Sequence, residues 1–171
     1  FDIDIFSLDI DGIDYWIIKN LSEKINPKVF VIEYNSIFGP QIEVTVPDIE
    51  DFSRENYHYS HLCYGASLRA FTELLKKKGY YLLGVNRLRN NAFFISNKFS
   101  KDKFFPNILD LSFNDFTNSL VRESRSEEGN LDFKTKKERK KIIEECYIID
   151  VSNEKEEKKK LIEVYNENFN K

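Results

Sequence analysis

The chain has 171 residues, 41% hydrophobic and 15% aromatic, which is enough for one packed domain and excludes wholesale disorder. A formal charge of −3 is too small to point to nucleic acid, a membrane surface or a polyanionic substrate, and no apolar run reaches membrane-spanning length. Two cysteines, Cys63 and Cys146, match no C-x-x-C spacing and read as reduced thiols of a cytoplasmic protein.

The opening run Ile3-Asp4-Ile5-Phe6-Ser7-Leu8-Asp9-Ile10 predicts a strand over 3–10, and Asp11-Gly12 supplies a turn. The chain contains no Met and begins at Phe1, on the threshold of this strand, so its start reads as a truncation point. Asp14 is the expected N-cap of a helix through 24, with Trp16, Ile17, Leu21 and Ile25 at helical spacing. Asn26-Pro27 ends it, and a nearly all-apolar strand over 28–34 follows, as in a sheet covered on both faces. Residues 35–64 form a long irregular insertion with room for a short strand at 41–46. A helix over 66–78 is stopped by Gly79, and strands over 80–85 and 92–96 flank an Asn90-Asn91 turn as an antiparallel hairpin. Beyond Lys98 charge dominates. The runs 134–141 and 154–160 read as solvated helix faces with i,i+4 ion pairs, and Ile142, Ile143, Ile148 and Ile149 as residues that dock the tail. This reading divides the chain into an α/β part, 1–98, and a charged, mostly helical extension, 99–171.

Strand, helix and strand in this order predict parallel neighbours in an open α/β sheet, where ligands bind at the carboxyl ends of the strands. Asp9 and Asp11 stand at the first such end, Glu33 and Asn35 at the second. Oxygen donors gathered there suit Mg²⁺, so Asp9, Asp11, Glu33 and Asn35 are candidate ligands. The competing reading has Asp9 or Asp11 capping the next helix while Glu33 lines a pocket. His58 and His61 fall in the insertion. His61 is a candidate general base, a zinc site of His58, His61 and Cys63 wants a fourth ligand, and a polar aromatic lid over 57–64 is the plainer alternative. No G-x-S-x-G, H-E-x-x-H or phosphate-cradling loop is present.

Ser7-Leu8-Asp9-Ile10-Asp11-Gly12-Ile13-Asp14-Tyr15-Trp16 followed by Val31-Ile32-Glu33-Tyr34-Asn35 resembles bacterial methyltransferases of the FkbM type. So do Tyr64-Gly65-Ala66-Ser67-Leu68, Lys78-Gly79-Tyr80, Asn91-Ala92-Phe93-Phe94 and Arg122-Glu123-Ser124-Arg125. The resemblance implies a partial doubly wound, Rossmann-like sheet: the last four strands of a seven-stranded one, ending in an antiparallel hairpin. It further implies S-adenosylmethionine in the full-length parent and methyl transfer to an oxygen or nitrogen of a small molecule or sugar. Asp11, Glu33 and His61 would then serve catalysis, and Asp9 and Asp14 the cofactor, although helix capping is the favoured role of Asp14. The family's glycine-rich loop is missing, since no G-x-G occurs. The chain is thus expected to bind the cofactor weakly and to be inactive alone, its first strand covered by an upstream half-domain or a second copy. A non-catalytic α/β module completed by a partner chain is the alternative. A carboxylate-metal hydrolase is a third reading, for which the sequence supplies no further acids.

Overall fold

The computed structural model describes residues 2–100 and 113–169, and the part of the expected extension at 101–112 lies outside them. The fold is mixed α/β, with a four-stranded, a three-stranded and a two-stranded sheet among the described residues. None of their helices is long and apolar enough to cross a membrane.

The four apolar runs singled out by sequence assemble one sheet. β1 (Ile5–Leu8) lies parallel to β2 (Val29–Glu33), with Phe6 opposite Phe30 and Leu8 opposite Ile32. β4 (Tyr80–Val85) and β5 (Asn91–Ser96) form the hairpin, and β5 inserts antiparallel between β2 and β4, giving the order β1-β2-β5-β4. Side chains of paired residues share a face. One face therefore collects Phe30, Ile32, Leu82, Ala92 and Phe94, all buried under α1 (Asp14–Asn20) and α3 (Leu68–Lys77) through Trp16, Ile18, Leu68, Phe71 and Leu75. On the opposite face Val29, Val31 and Phe93 are only half-buried among the described residues, although Ile95 is buried, so the nearly all-apolar β2 is not covered equally on both sides.

α1 is shorter than its periodicity predicts. Leu21 turns extended (φ −61°, ψ 128°) and packs beside the core, while the Ser22 hydroxyl accepts from the Lys24 backbone N–H at 3.3 Å, a local bond that competes with helix. Its cap also differs: Ile13 is the N-cap residue and makes no side-chain cap bond. Asp14 is already helical, and its carboxylate reaches back to accept from Ile10 N (3.1 Å) and Gly12 N (3.0 Å). α3 starts at Leu68, because Ser67 takes the cap position: its Oγ accepts from Ala70 N at 3.1 Å and donates to the Ile42 carbonyl at 2.7 Å. Gly79 ends it at φ +85°, a left-handed conformation glycine adopts without penalty.

The insertion and the tail build a second core. β3 (Val44–Thr45) pairs antiparallel with β8 (Tyr147–Asp150), which pairs with β9 (Glu157–Lys160). Phe38, Ile42, Val44, Leu62 and Cys63 of the insertion pack with Ile143, Cys146, Ile148, Leu161 and Val164 of the tail, with Ile142 at the margin. Ile149 faces the first core instead. The insertion also carries a short helix, α2 (Arg54–Tyr57). The tail has α4 (Asn97–Ser100), α5 (Phe113–Phe116), α6 (Lys136–Ile142) and α7 (Leu161–Phe169), but β8, β9 and the hairpin of β6 (Glu123–Arg125) with β7 (Leu131–Phe133) correct the expectation of a mostly helical extension. Within the run 154–160, Glu157–Lys160 becomes an edge strand, where solvated lysines are tolerated and discourage further pairing. Lys159 reaches Asp150 of β8 (3.3 Å), Glu157 of its own strand (3.1 Å) and Glu167 of α7 (2.9 Å).

Candidate functional site

Parallel pairing of β1 and β2 brings their carboxyl ends side by side and with them Asp9, Asp11 and Glu33, whose oxygens lie within 4.8 Å of one another. Asp9 is exposed, Asp11 half-buried, and Glu33 buried at 8% exposure. Asp11 adopts φ +55°, which the Asp-Gly turn permits, and the Asp14 carboxylate ties down the turn from below. Asp14 is thus committed to two backbone N–H groups and is buried, away from the open side of the cluster.

A cation completes the arrangement. Arg54 of α2 places Nη1 2.5 Å from the Asp11 carboxylate, and its guanidinium lies 5.4 Å over the Tyr64 ring. Both partners of the ion pair are about a third or more exposed, so it contributes little to stability and more to orientation. Burial, with Asp9, Asp11 and Asp14 close by, pushes the Glu33 carboxyl up to about 8, against a partial opposing pull from Arg54. Asp9 is raised chiefly by burial and then by Asp11, while a hydrogen bond from Glu33 acts in the other direction. At neutral pH Glu33 therefore holds a proton that it shares with Asp9. A carboxyl group whose proton affinity sits near neutrality is suited to general acid–base work.

Glu33 opens into a cavity of about 140 Å³ whose walls also include Arg54, His61, Tyr64, Arg125 and Arg139. Of the segment 57–64, expected as a lid, His61, Leu62 and Tyr64 line the cavity. The amide of Asn35 holds the lid, donating to the carbonyls of Leu62 (2.8 Å) and Tyr64 (3.0 Å) and accepting from Ile37 N (3.0 Å). Asn35 thus fastens the loop, its amide oxygen accepting from Ile37 N, and it lines the same cavity as Glu33. His61, at φ +58°, does line the cavity. His58 and Cys63 do not join it. The His58 ring contacts the Ser60 hydroxyl at 2.8 Å, and Cys63 is buried beside Cys146, so no zinc site of His58, His61 and Cys63 is assembled. Among the described residues the group of His, Cys, Asp or Glu side chains arranged to hold a metal is Asp9, Asp11 and Glu33, an oxygen-only set that fits a hard divalent cation.

The basic wall escapes sequence reasoning. Arg54 sits in an irregular insertion, and Arg139 in a run, 134–141, that has the composition of a solvated helix face. The capping box of α6, in which Thr135 and Glu138 bond reciprocally, turns Arg139 inward instead, to 4% exposure. Arg125 lay within the motif Arg122-Glu123-Ser124-Arg125, the one local signal that this segment belongs with the site. Comparison with protein-family models, with curated proteins and with solved structures returns no match, so the site is read from its own geometry.

Proposed function

We propose that the chain is the carboxyl-terminal half of an α/β S-adenosylmethionine-dependent methyltransferase of the Rossmann-like kind, cytoplasmic, acting on an oxygen or nitrogen of a small molecule or sugar. The observation that carries this reading is Glu33: a buried carboxyl with near-neutral proton affinity, at the carboxyl end of a parallel strand, opening into a closed-over cavity. The sheet order β1-β2-β5-β4 with its terminal antiparallel hairpin supports it, being the arrangement implied by the motif resemblance.

In this reading the bound cofactor supplies the methyl group, and the protein's work is alignment and proton handling. Glu33 first releases its proton to solvent through exposed Asp9, with which it is hydrogen-bonded, and as the carboxylate then takes the proton that the acceptor hydroxyl or amine gives up as its oxygen or nitrogen attacks the methyl carbon. Arg54 orients Asp11, His61 borders the acceptor, and the lid over 57–64 limits water. A Mg²⁺ ion held by Asp9, Asp11 and Glu33 would acidify the acceptor hydroxyl. Cofactor contacts come from a preceding half-domain or a second copy, since no glycine-rich loop occurs here. The exposed Ile5 (63%) on the edge strand β1 equally favours the second reading, a non-catalytic module completed by a partner chain.

The test is isothermal titration of S-adenosylmethionine, with and without Mg²⁺, into the protein produced with the sequence encoded ahead of Phe1. Saturable binding, followed by loss of methyl transfer in Glu33→Gln, is expected. No binding by that longer protein overturns the enzyme reading in favour of the module, and full turnover by Glu33→Gln removes Glu33 from the chemistry.

A further inference from the structure

Arg139 is a buried guanidinium that the fold leaves incompletely satisfied. Its side chain is at the cavity wall, and one Nη group donates to the Val121 carbonyl. Its Nε–H, fully buried, has no hydrogen-bond partner among the described residues, and no carboxylate there forms an ion pair with it. The other cations of the cavity are answered: Arg54 by Asp11 at 2.5 Å, Arg125 by Glu123 at 3.0 Å. Arg122, of the same sign, disfavours the charge of Arg139, which in turn disfavours that of Lys136.

A guanidinium cannot escape this situation by losing its proton, and an unpaired buried charge is costly. The cost is removed if an oxyanion occupies the cavity. The Nε edge is one prong of the two-pronged fork with which arginine grips carboxylate and phosphate oxygens. Glu33 and Arg139 both line this cavity, so a ligand paired with Arg139 also meets Glu33. The volume, about 140 Å³, matches a ligand of few atoms; a cavity of about 150 Å³ accommodates benzene.

We propose that this cavity binds a small anionic molecule whose carboxylate or phosphate pairs with Arg139 and whose hydroxyl or amine faces Glu33. Its identification as the methyl acceptor rests on the function proposed above; the anion site itself does not. The fold has placed a guanidinium and a carboxyl group along one compartment, which selects a bifunctional molecule over a neutral sugar.

The experiment is ¹H–¹⁵N NMR of the arginine Nε–H groups of the whole chain, with Arg139→Lys identifying the Arg139 signal by its disappearance. Sodium glycerate and sodium phosphate are titrated at constant ionic strength, with sodium chloride and glycerol as controls. A saturable downfield shift of the Arg139 signal with glycerate or phosphate, absent with chloride and glycerol, is expected, and the tighter of the two identifies the anion as carboxylate or phosphate. Thermal-shift titration should show at least tenfold weaker binding in Arg139→Lys, which keeps the charge and loses the fork, and retained binding in Arg87→Gln, an exposed arginine outside the cavity. Should Arg139→Lys not fold, Arg125→Gln and Arg54→Lys complete the assignment by elimination. A signal that no anion moves, or that chloride moves equally, overturns the proposal. Anion binding without any cofactor response in the longer protein would keep this site and remove the methyltransferase reading; cofactor binding with a silent Arg139 would do the reverse.

Discussion

Replacing Glu33 by Gln separates the charge of this side chain from its shape, since the amide keeps the volume and a donor for the Asp9 carboxylate. In the unfolded chain the carboxyl ionises near 4.5, whereas in the folded protein it keeps its proton to about 8. The folded state therefore binds the extra proton, and that contribution is fully present below about pH 4.5 and is lost as pH rises toward 8. At about 1.4 kcal/mol per pH unit, the loss across this window is on the order of 4–5 kcal/mol, a large part of the ~5–15 kcal/mol stability of an ordinary domain. Glu33→Gln has no proton to lose. Urea unfolding followed by far-UV circular dichroism from pH 4 to 9, at constant ionic strength, measures both proteins. Their stabilities should coincide near pH 4 and diverge steadily, with the Gln protein more stable by several kcal/mol at pH 8.5. Millimolar Mg²⁺, if held by the cluster, should narrow the gap by favouring the ionised wild-type carboxyl. Curves that stay parallel from pH 4.5 to 8, or a Gln protein that is the weaker one at pH 8.5, refute the placement of the proton on Glu33.

Arg54→Ala removes the cation that opposes the rise in Glu33, so the Glu33 midpoint, followed by ¹³C-carboxyl NMR, should move further up; stability should fall by no more than about 1 kcal/mol, because the ion pair is partly exposed. Trp16→Phe deletes the buried indole bond to the Val46 carbonyl (2.8 Å) that joins α1 to the insertion, and should cost about 1–3 kcal/mol in urea unfolding. Gly79→Ala forces a Cβ into φ +85° and to 3.2 Å from the Asn97 amide, with an expected loss of about 1–2 kcal/mol read as a lowered Tm. Cys146 borders a surface cleft, and hydrogen bonds from Cys63 and His58 hold its thiol below the usual range, whereas Cys63 is fully buried and held above it. Mass-spectrometric timing of iodoacetamide labelling should therefore find Cys146 modified first; faster labelling of Cys63 contradicts this arrangement.

What the sequence by itself determined is whatever depends on near neighbours. The apolar runs around Phe6, Phe30, Leu82 and Phe94 are strands wherever they pack, and α3 is bounded by Ser67 and Gly79 through bonds and dihedrals a few residues long. Asp9, Asp11 and Glu33 could be named in advance because a parallel strand pair brings its carboxyl ends together, and β1 and β2 are such a pair. Even locally there were limits: Asp14 and Asn35 were legible as polar residues beside strand ends, yet the direction of their hydrogen bonds, toward the turn and the lid, depends on loops that composition does not describe. The tertiary structure decided the rest. Lys159 sits in a strand because two acids from other segments, Asp150 and Glu167, and the β8 backbone are there to receive it, not because its own stretch prefers extension. Arg54 meets Asp11 across 43 positions, and Arg139 turns inward because its helix lies against the insertion that roofs the cavity. A basic run reads the same in sequence whether it faces water or an enclosed ligand; only long-range packing, which removes one of its guanidinium groups from solvent, tells the two apart.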